Sequence, residues 1–442
     1  VLRHSHFRIV WFASCGSYLG NWFEFVGTQW LITEKTESMV WSSYLGAAHL
    51  LPSLALGIFG GIVADRVNRR KLLIVTQAVM MVIALAFAAV VWLDAATPWI
   101  LIGLALAQGI TIAFNTPAWQ VLVPRLVPRD ELVKAITLQG ISFNAARAVG
   151  PALAGIIMGL WSPTALFVLN ALSFIGVMIA VLKTPDAPAP DAEPGWHRKV
   201  WVDIKGAMRF VLMERGPRAA FLATTIFAAF GTPVLRFLSI FVEQVYELEP
   251  QYQAKAFGAL TGVMGIGAVT GGLCLRFVPV WYPKHHFIPL SVLLGGLWIL
   301  IFCFTSNVWV AGGFMFFVGW FWMWAFNSAM AALQMLVTDS MRGRALSVCN
   351  TLAMGLMPAG YFFASAVGES GAAWVRHASP GYWTPGLATQ LGVGACALIL
   401  VGAGLTMVIW RTPEVDGLQP GDAGYDRNPG LLRGLFAKAH RP

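Results

Sequence analysis

Six side chains able to carry or orient charge fall inside long apolar runs: Glu24, His49, Asn144, Arg147, Arg236 and Glu243. An ionisable group near the centre of a bilayer costs roughly 2.5 to 3.5 kcal/mol on insertion scales, so such groups face an interior and usually serve a function. Burial and a nearby cation act in opposite senses on a carboxyl, and that competition is what a proton-coupled site needs. Glu24 is therefore the candidate proton carrier. Arg147 is either its partner or the contact for an anionic substrate, and Asn144, three residues earlier on the same helical face, can orient it. His49 is expected at a depth similar to Glu24. The alternative is a static polar network joining the first, second and fifth helices. Glu243 lies seven residues beyond Arg236; the two either pair or gate an exit, or Glu243 is an interfacial acid in water.

Such placements presuppose spanning helices, and the composition demands them. The 442 residues are 57% hydrophobic and only 12% charged, against roughly 25% charge in soluble domains. A formal charge of +9 raises nucleic acid or anionic lipid as partners. The charges form short clusters between apolar runs, which suits loops beside a bilayer and supplies no continuous basic face for nucleic acid. Runs of about 20 apolar residues bounded by charge, Pro or Gly number twelve, near 9–32, 41–64, 72–93, 99–121, 135–159, 164–182, 219–243, 256–275, 287–305, 309–331, 345–366 and 386–410. The first is of spanning length with charged flanks and reads as a helix, not a removable signal. The five cysteines stand singly in apolar segments, indicating neither disulfides nor a metal site.

With both termini in the cytoplasm, 25 of the 30 Lys and Arg fall on that side, as loops retained there require. Lys35, Lys255 and Arg376 fall on the other, and Arg147 and Arg236 lie within helices. The expected fold class is an all-α membrane protein with twelve transmembrane helices in two pseudo-symmetric six-helix bundles. The expected units are a first bundle at 1–182, a cytoplasmic linker with an amphipathic helix at 183–218, a second bundle at 219–410 and a cytoplasmic tail at 411–442. Phe114-Asn115, a Leu-Val, a charged turn and Lys134-Ala135 recur as Phe326-Asn327, a Leu-Val, a charged turn and Arg344-Ala345, as a duplicated unit would place them.

Two motifs carry mechanism. After the second run the chain reads Gly61, Ile62, Val63, Ala64, Asp65, Arg66, Val67, Asn68, Arg69, Arg70, Lys71. Gly57 and Gly61 make a small-x-x-x-small face for close helix approach. Asp65 can face a helix N-terminus or an arginine. The fifth run holds Asn144 to Gly155 with Gly150 and Pro151, where small residues allow tight packing and Pro removes one ladder hydrogen bond, so that the helix can bend. In the tenth run Phe317, Trp320, Phe321 and Trp324 form one stripe, an aromatic cavity wall or a lipid-facing surface.

The loop resembles the signature Gly-x-x-x-Asp-Arg-x-Gly-Arg-Arg of the major facilitator superfamily, with Asn68 in place of the usual Gly. Asn also tolerates the left-handed backbone a Gly supplies there. The resemblance implies that Gly61, Asp65, Arg66, Arg69 and Arg70 latch the cytoplasmic side. Asn144 to Gly155 resembles the Gly-Pro motif of drug and proton antiporters, which favours export and makes Gly150 and Pro151 gating residues. Arg8, Pro117-Ala118, Leu126 to Arg129 and Arg342-Gly343-Arg344 are similar to the enterobactin-exporter and macrolide-efflux branch across nearly the whole chain. That branch implies proton-driven export of a bulky amphipathic compound, a siderophore or drug, from the cytoplasmic membrane. Alternatives are uptake of an iron chelate or lipid-like metabolite, or a membrane scaffold or sensor. No Gly-x-x-x-x-Gly-Lys-Ser/Thr loop or catalytic spacing stands out. The expectation is thus a monomeric non-enzyme with no metal and no cofactor, energised by an ion gradient, whose partners are a small molecule and the bilayer.

Overall fold

The computed structural model describes residues 1–185, 205, 206, 208–246, 248–278, 282–337, 342–418 and 422, apart from the side chains of residues 58, 65, 121, 123, 124, 342–344 and 347. The first group of helices is α1 (Ser5–Thr36), α2 (Met39–Arg66), α3 (Arg69–Trp92), α4 (Pro98–Leu122), α5 (Leu132–Leu160) and α6 (Pro163–Leu182). The second begins with α7 (Arg215–Gly231), α8 (Pro233–Arg236), α9 (Leu238–Gln244) and α10 (Pro250–Cys274). It continues with α11 (Lys284–Cys303), α12 (Val308–Leu336), α13 (Arg342–Gly355), α14 (Met357–Ala378) and α15 (Leu387–Ile409).

Local chemistry starts these helices where it should. Ser38 accepts from the Val40 N–H, Asn68 from Lys71 at 3.2 Å and Asn307 from Trp309 at 2.9 Å, each side chain satisfying an amide that has no intrahelical partner. Pro163 and Pro250 stand at the first positions of α6 and α10, where the missing N–H costs nothing. Pro233 and Pro358 mark interruptions. The span Arg215–Gln244 is broken at Thr232 and Phe237, and another helix breaks at Leu356 between α13 and α14.

Among the described residues ten spans are long and apolar enough to cross a membrane. α1 and α2, at 32 and 28 residues, have the length for a core of roughly 30 Å but fall outside those ten. The reason is visible in α1, which buries Ser14, Ser17, Glu24, Thr28, Gln29 and Thr33. Two expected boundaries move. The helix expected from residue 219 begins at Arg215, and the helical run expected to end near residue 366 continues to Ala378. Of the expected linker, residues 186–204 and 207 lie outside the described residues, as do 419–421 and 423–442 of the tail.

Within the first group α1 packs on α5 and α6, α2 on α4, and α3 on α4 and α6; within the second α10 packs on α12, α11 on α12 and α15, and α14 on α15. Val75, Val79 and Val82 make an exposed stripe along α3, the surface expected against lipid chains. Exposed Trp92, Trp99, Trp161, Trp309 and Trp374 gather at helix ends remote from the basic loop at Arg66 to Lys71, like an interfacial aromatic belt. These two ends are called here the aromatic end and the basic end.

The groups meet along α5 with α10 and along α2 with α13 and α14. Without a hydrophobic driving force between helices, small residues decide how closely backbones approach. A Cβ on Gly155 would lie 2.7 Å from the Gly258 Cα, and one on Gly265 2.4 Å from the Ala148 Cα. Backbone therefore lies on backbone along that seam.

Candidate transport site

Glu24 sits on α1 at 5% exposure. Its Oε2 accepts from Asn170 Nδ2 of α6 at 2.6 Å and from Gln108 Nε2 of α4 at 3.3 Å. The network thus joins α1, α4 and α6, which corrects the expected union of the first, second and fifth helices. Gln108 and Asn170 are 1% and 0% exposed, and sequence reasoning missed both. Their signal was present, since each is a strongly polar side chain inside an apolar run, where a polar group needs a partner.

Arg147 lies elsewhere. Its guanidinium is 5.1 Å from the centroid of the Trp322 ring on α12, a cation–π arrangement that spans the seam between the two helix groups. Asn144 does not orient it: Asn144 Nδ2 donates to the Gly140 carbonyl of its own helix at 2.8 Å. Gly150 is packed against Trp22, whose Cβ would be 2.7 Å from an added Cβ. Pro151 lies inside a continuous α5. Gly155 is part of the backbone-to-backbone seam, so the Gly-Pro segment does lie where the helix groups meet.

Arg236, 5% exposed, crosses the seam toward α2. Its Nε donates to the Ser42 carbonyl at 2.8 Å, and its guanidinium is 6.0 Å from the Tyr361 ring. Gly46 makes room, because a Cβ there would be 3.1 Å from Arg236 Nε. His49, one turn further along α2, has Arg236 as its charged neighbour. Of the alternatives for Arg236 and Glu243, direct pairing is not formed among the described residues. The break at Phe237 ends the continuous helix that would have aligned them, and Glu243 has Glu34 and Glu37 as charged neighbours.

Arg236 belongs to a clasp at the aromatic end that the sequence did not disclose. Ser239 of α9 accepts from Gln29 Nε2 at 2.9 Å and shares a 2.6 Å hydrogen bond with Thr33 Oγ1. Gln244 Nε2 donates to the Glu37 carbonyl at 3.3 Å. Gln29, Thr33 and Ser239 are at most 1% exposed, so these are interior hydrogen bonds joining α1 to α9.

At the basic end, Gly57 and Gly61 have nothing within 4 Å of an added Cβ. The close approach expected of them belongs to Gly60, where a Cβ would be 2.0 Å from the Ala113 carbonyl oxygen of α4. Asn68 is not left-handed; at φ −59° and ψ 113° it is the N-cap of α3, a role Asn fills as well as any residue. Arg69 is buried, and Arg70 donates to the Leu182 carbonyl at the end of α6. Arg66 ends α2. The side chains of Asp65, Arg342 and Arg344 lie outside the described residues.

The aromatic stripe of α12 fills seams within the second helix group. Phe317 stacks on Trp298 at 4.6 Å, Phe321 and Trp320 touch Trp324, and Trp324 rests on Phe287 at 4.8 Å. Trp324 Nε1 also donates to the Gly271 carbonyl at 2.7 Å. These contacts explain the stripe as packing. On the same helix Trp322 faces the first group, where Arg147 lies over its ring.

Long helices in two packed groups that meet along a small-residue seam make a helical membrane protein, and solved structures share the fold. A bacterial homolog of the lysosomal transporter Spinster, in an inward-facing and unoccupied conformation, superposes with a TM-score of 0.67 at 14% identity over 93% of this chain and 96% of that one. Residues 1–416 match the model of the transmembrane secretion effectors, and the chain belongs to that family of the major facilitator superfamily. It is therefore a transporter by descent and not an enzyme. Among relatives, the staphyloferrin A transporter of Staphylococcus aureus is 25% identical over 351 residues, covering 78% of this chain and 84% of its own. Macrolide efflux protein A of Streptococcus pyogenes is 23% identical over 299 residues, covering 65% and 69%.

Proposed function

We propose that this protein is a proton-coupled secondary exporter of a bulky amphipathic small molecule with an anionic group, working by alternating access between two six-helix halves. The observation that carries the reading is the separation of two buried groups: Glu24 held by neutral amides inside the first half, and Arg147 on the seam facing Trp322. An unpaired buried charge is costly. Glu24 accordingly takes up and releases a proton as its surroundings open to water, while Arg147 receives the anionic part of the cargo.

In this reading α1 and α2 complete a set of twelve spanning helices, both termini lie in the cytoplasm, and the chain acts as a monomer in the cytoplasmic membrane. The halves are 1–182 and 219–410, joined by the linker 183–218. The clasp at Ser239 and Arg236 closes the outer side, so the described arrangement is the cytoplasm-facing one. Rocking about the α5–α10 seam breaks the clasp and brings the basic loop of Asp65 to Arg70 into play as the opposite latch. The family description and the efflux relative support export, and staphyloferrin A, which carries carboxylates, is the first candidate cargo.

The test is transport into inverted vesicles under an imposed pH gradient, with staphyloferrin A as probe. Wild-type protein accumulates cargo in inverted vesicles. Glu24→Gln loses gradient-driven accumulation but keeps exchange of cargo for cargo. Accumulation only in right-side-out vesicles would make the protein an importer, and unchanged gradient-driven accumulation by Glu24→Gln would remove Glu24 from the coupling.

A further inference from the structure

A cavity of about 510 Å³ opens among α1, α3, α4 and α5, within the range of roughly 300 to 1,000 Å³ typical of small-molecule sites. Four helical stripes converge on it, including Ser14, Ser17, Tyr18 and Asn21 of α1 and Ile136, Gln139 and Phe143 of α5. The lining is rich in amides and hydroxyls and, among the described residues, contains no charged side chain. It lies on the basic-end side of Glu24, which follows Asn21 by three residues on α1.

Gln77 is the decisive group. It lines the cavity from α3 at 2% exposure, and its Oε1 is a buried acceptor with no donor among the described residues. Such an acceptor carries a desolvation cost of about 1 to 3 kcal/mol until a donor reaches it. Its neighbour Asn115 has its Nδ2 committed to Thr76 Oγ1 at 2.8 Å. Ser14 donates its proton to the Val10 carbonyl at 2.8 Å, so its oxygen faces a ligand as an acceptor. The described wall therefore offers acceptors, without a carboxylate to attract a cation or a guanidinium to attract an anion. Tyr18 and Phe143 meet edge to face at 5.5 Å and supply aromatic surface for a ring or a hydroxylated aliphatic face.

We infer that this cavity is a cargo subsite for an uncharged hydroxyl- or amide-bearing group, whose O–H or N–H donates to Gln77 Oε1. The inference rests on the transport reading above and deepens it. Phe143 and Arg147 are one turn apart on the same face of α5. A single cargo can place its neutral polar part in the cavity and its anionic part at Arg147, about 6 Å further along the helix axis.

The full-length chain in lipid nanodiscs is photolabelled with a diazirine-bearing octyl glucoside, with unlabelled octyl glucoside as competitor, and the labelled peptides are mapped by mass spectrometry. Competable label is expected in segments 14–21, 112–120 or 136–143. It should fall about five- to tenfold in Gln77→Leu, the order of one lost hydrogen bond. Gln139→Ala, at a half-buried position of the wall, gives the same readout should Gln77→Leu fail to fold. Competable label confined to other segments, or unchanged in both variants, overturns the subsite. A diazirine-bearing decanoate with Arg147→Gln tests the anionic reading separately. Glucoside labelling that persists while decanoate labelling ignores Arg147 leaves the subsite standing and removes the anionic cargo.

Discussion

Removing one hydroxyl, in Ser239→Ala, should open the clasp at the aromatic end. Ser239 is fully buried and takes part in two hydrogen bonds across the seam, at 2.9 Å from Gln29 and 2.6 Å to Thr33. At a net worth of about 1 kcal/mol each, their loss destabilises the clasped arrangement by about 2 kcal/mol. At 1.4 kcal/mol per factor of ten, that moves the balance between clasped and unclasped forms about 30-fold. Spin labels on Thr97→Cys and Trp309→Cys, both exposed near the aromatic end and on opposite helix groups, report the separation by pulsed electron resonance once the five native cysteines are replaced. The distance distribution should gain a longer component in Ser239→Ala. Ser43→Ala is the control, because Ser43 is equally buried but, among the described residues, bonds only to the Met39 carbonyl of its own helix, at 2.8 Å. If the two variants give the same distribution, or if Ser239→Ala matches the parent, the hydrogen bonds across the seam do not hold the outer side closed.

Three further outcomes are expected. Gly360→Ala should lower the melting temperature in nanodiscs, since its Cβ would stand 1.7 Å from the Ala229 carbonyl oxygen and relieving such overpacking costs typically 1 to 3 kcal/mol; Gly140→Ala, with nothing within 4 Å, should gain about 0.5 to 1 kcal/mol of helix stability. Asp416 accepts from the Lys284 N–H at 2.7 Å and from the His285 N–H and ring at 3.1 and 2.5 Å. Burial pushes its carboxyl up, but the His285 and backbone hydrogen bonds outweigh it and hold the group below its ordinary 3.8. A depressed carboxyl stabilises above its unfolded value and loses that contribution as the pH falls through the folded one. Asp416→Asn should therefore raise hydrogen exchange at the start of α11 at neutral pH, whereas the parent should keep its protection until the pH drops below about 3.8. Finally, Arg236→Gln, which removes the Nε donor to the Ser42 carbonyl, should widen the same spin-label distance as Ser239→Ala.

Much of the architecture was legible in the chain because it rests on properties of contiguous residues. Apolar runs, Pro and Asn punctuation and the clustering of Lys and Arg are read one segment at a time, and the helices fall close to where those signals placed them. Hydropathy was less informative for α1, since a helix that buries Glu24, Gln29 and four hydroxyl residues toward other protein looks too polar for lipid. The candidate charged residues were legible for the same one-dimensional reason: an ionisable side chain in an apolar run is conspicuous.

Partners were not legible, because they depend on which helix faces meet. Depth along the helices made Arg147 a reasonable mate for Glu24, yet the angular position of each residue turns Glu24 toward Asn170 and Gln108, and Arg147 toward Trp322. The same holds for Arg236, where the break at Phe237 redirects what a continuous helix would have aligned with Glu243. By itself, then, the sequence determined a basic, helical membrane protein with a facilitator-type loop and a short set of buried polar residues. Only the tertiary structure decided that these residues form separate clusters: a carboxyl cradled by amides, a cation on the seam and a clasp around Ser239. Close backbone approach at Gly155, Gly258 and Gly265 sets which faces touch, and so which hydrogen bonds are possible.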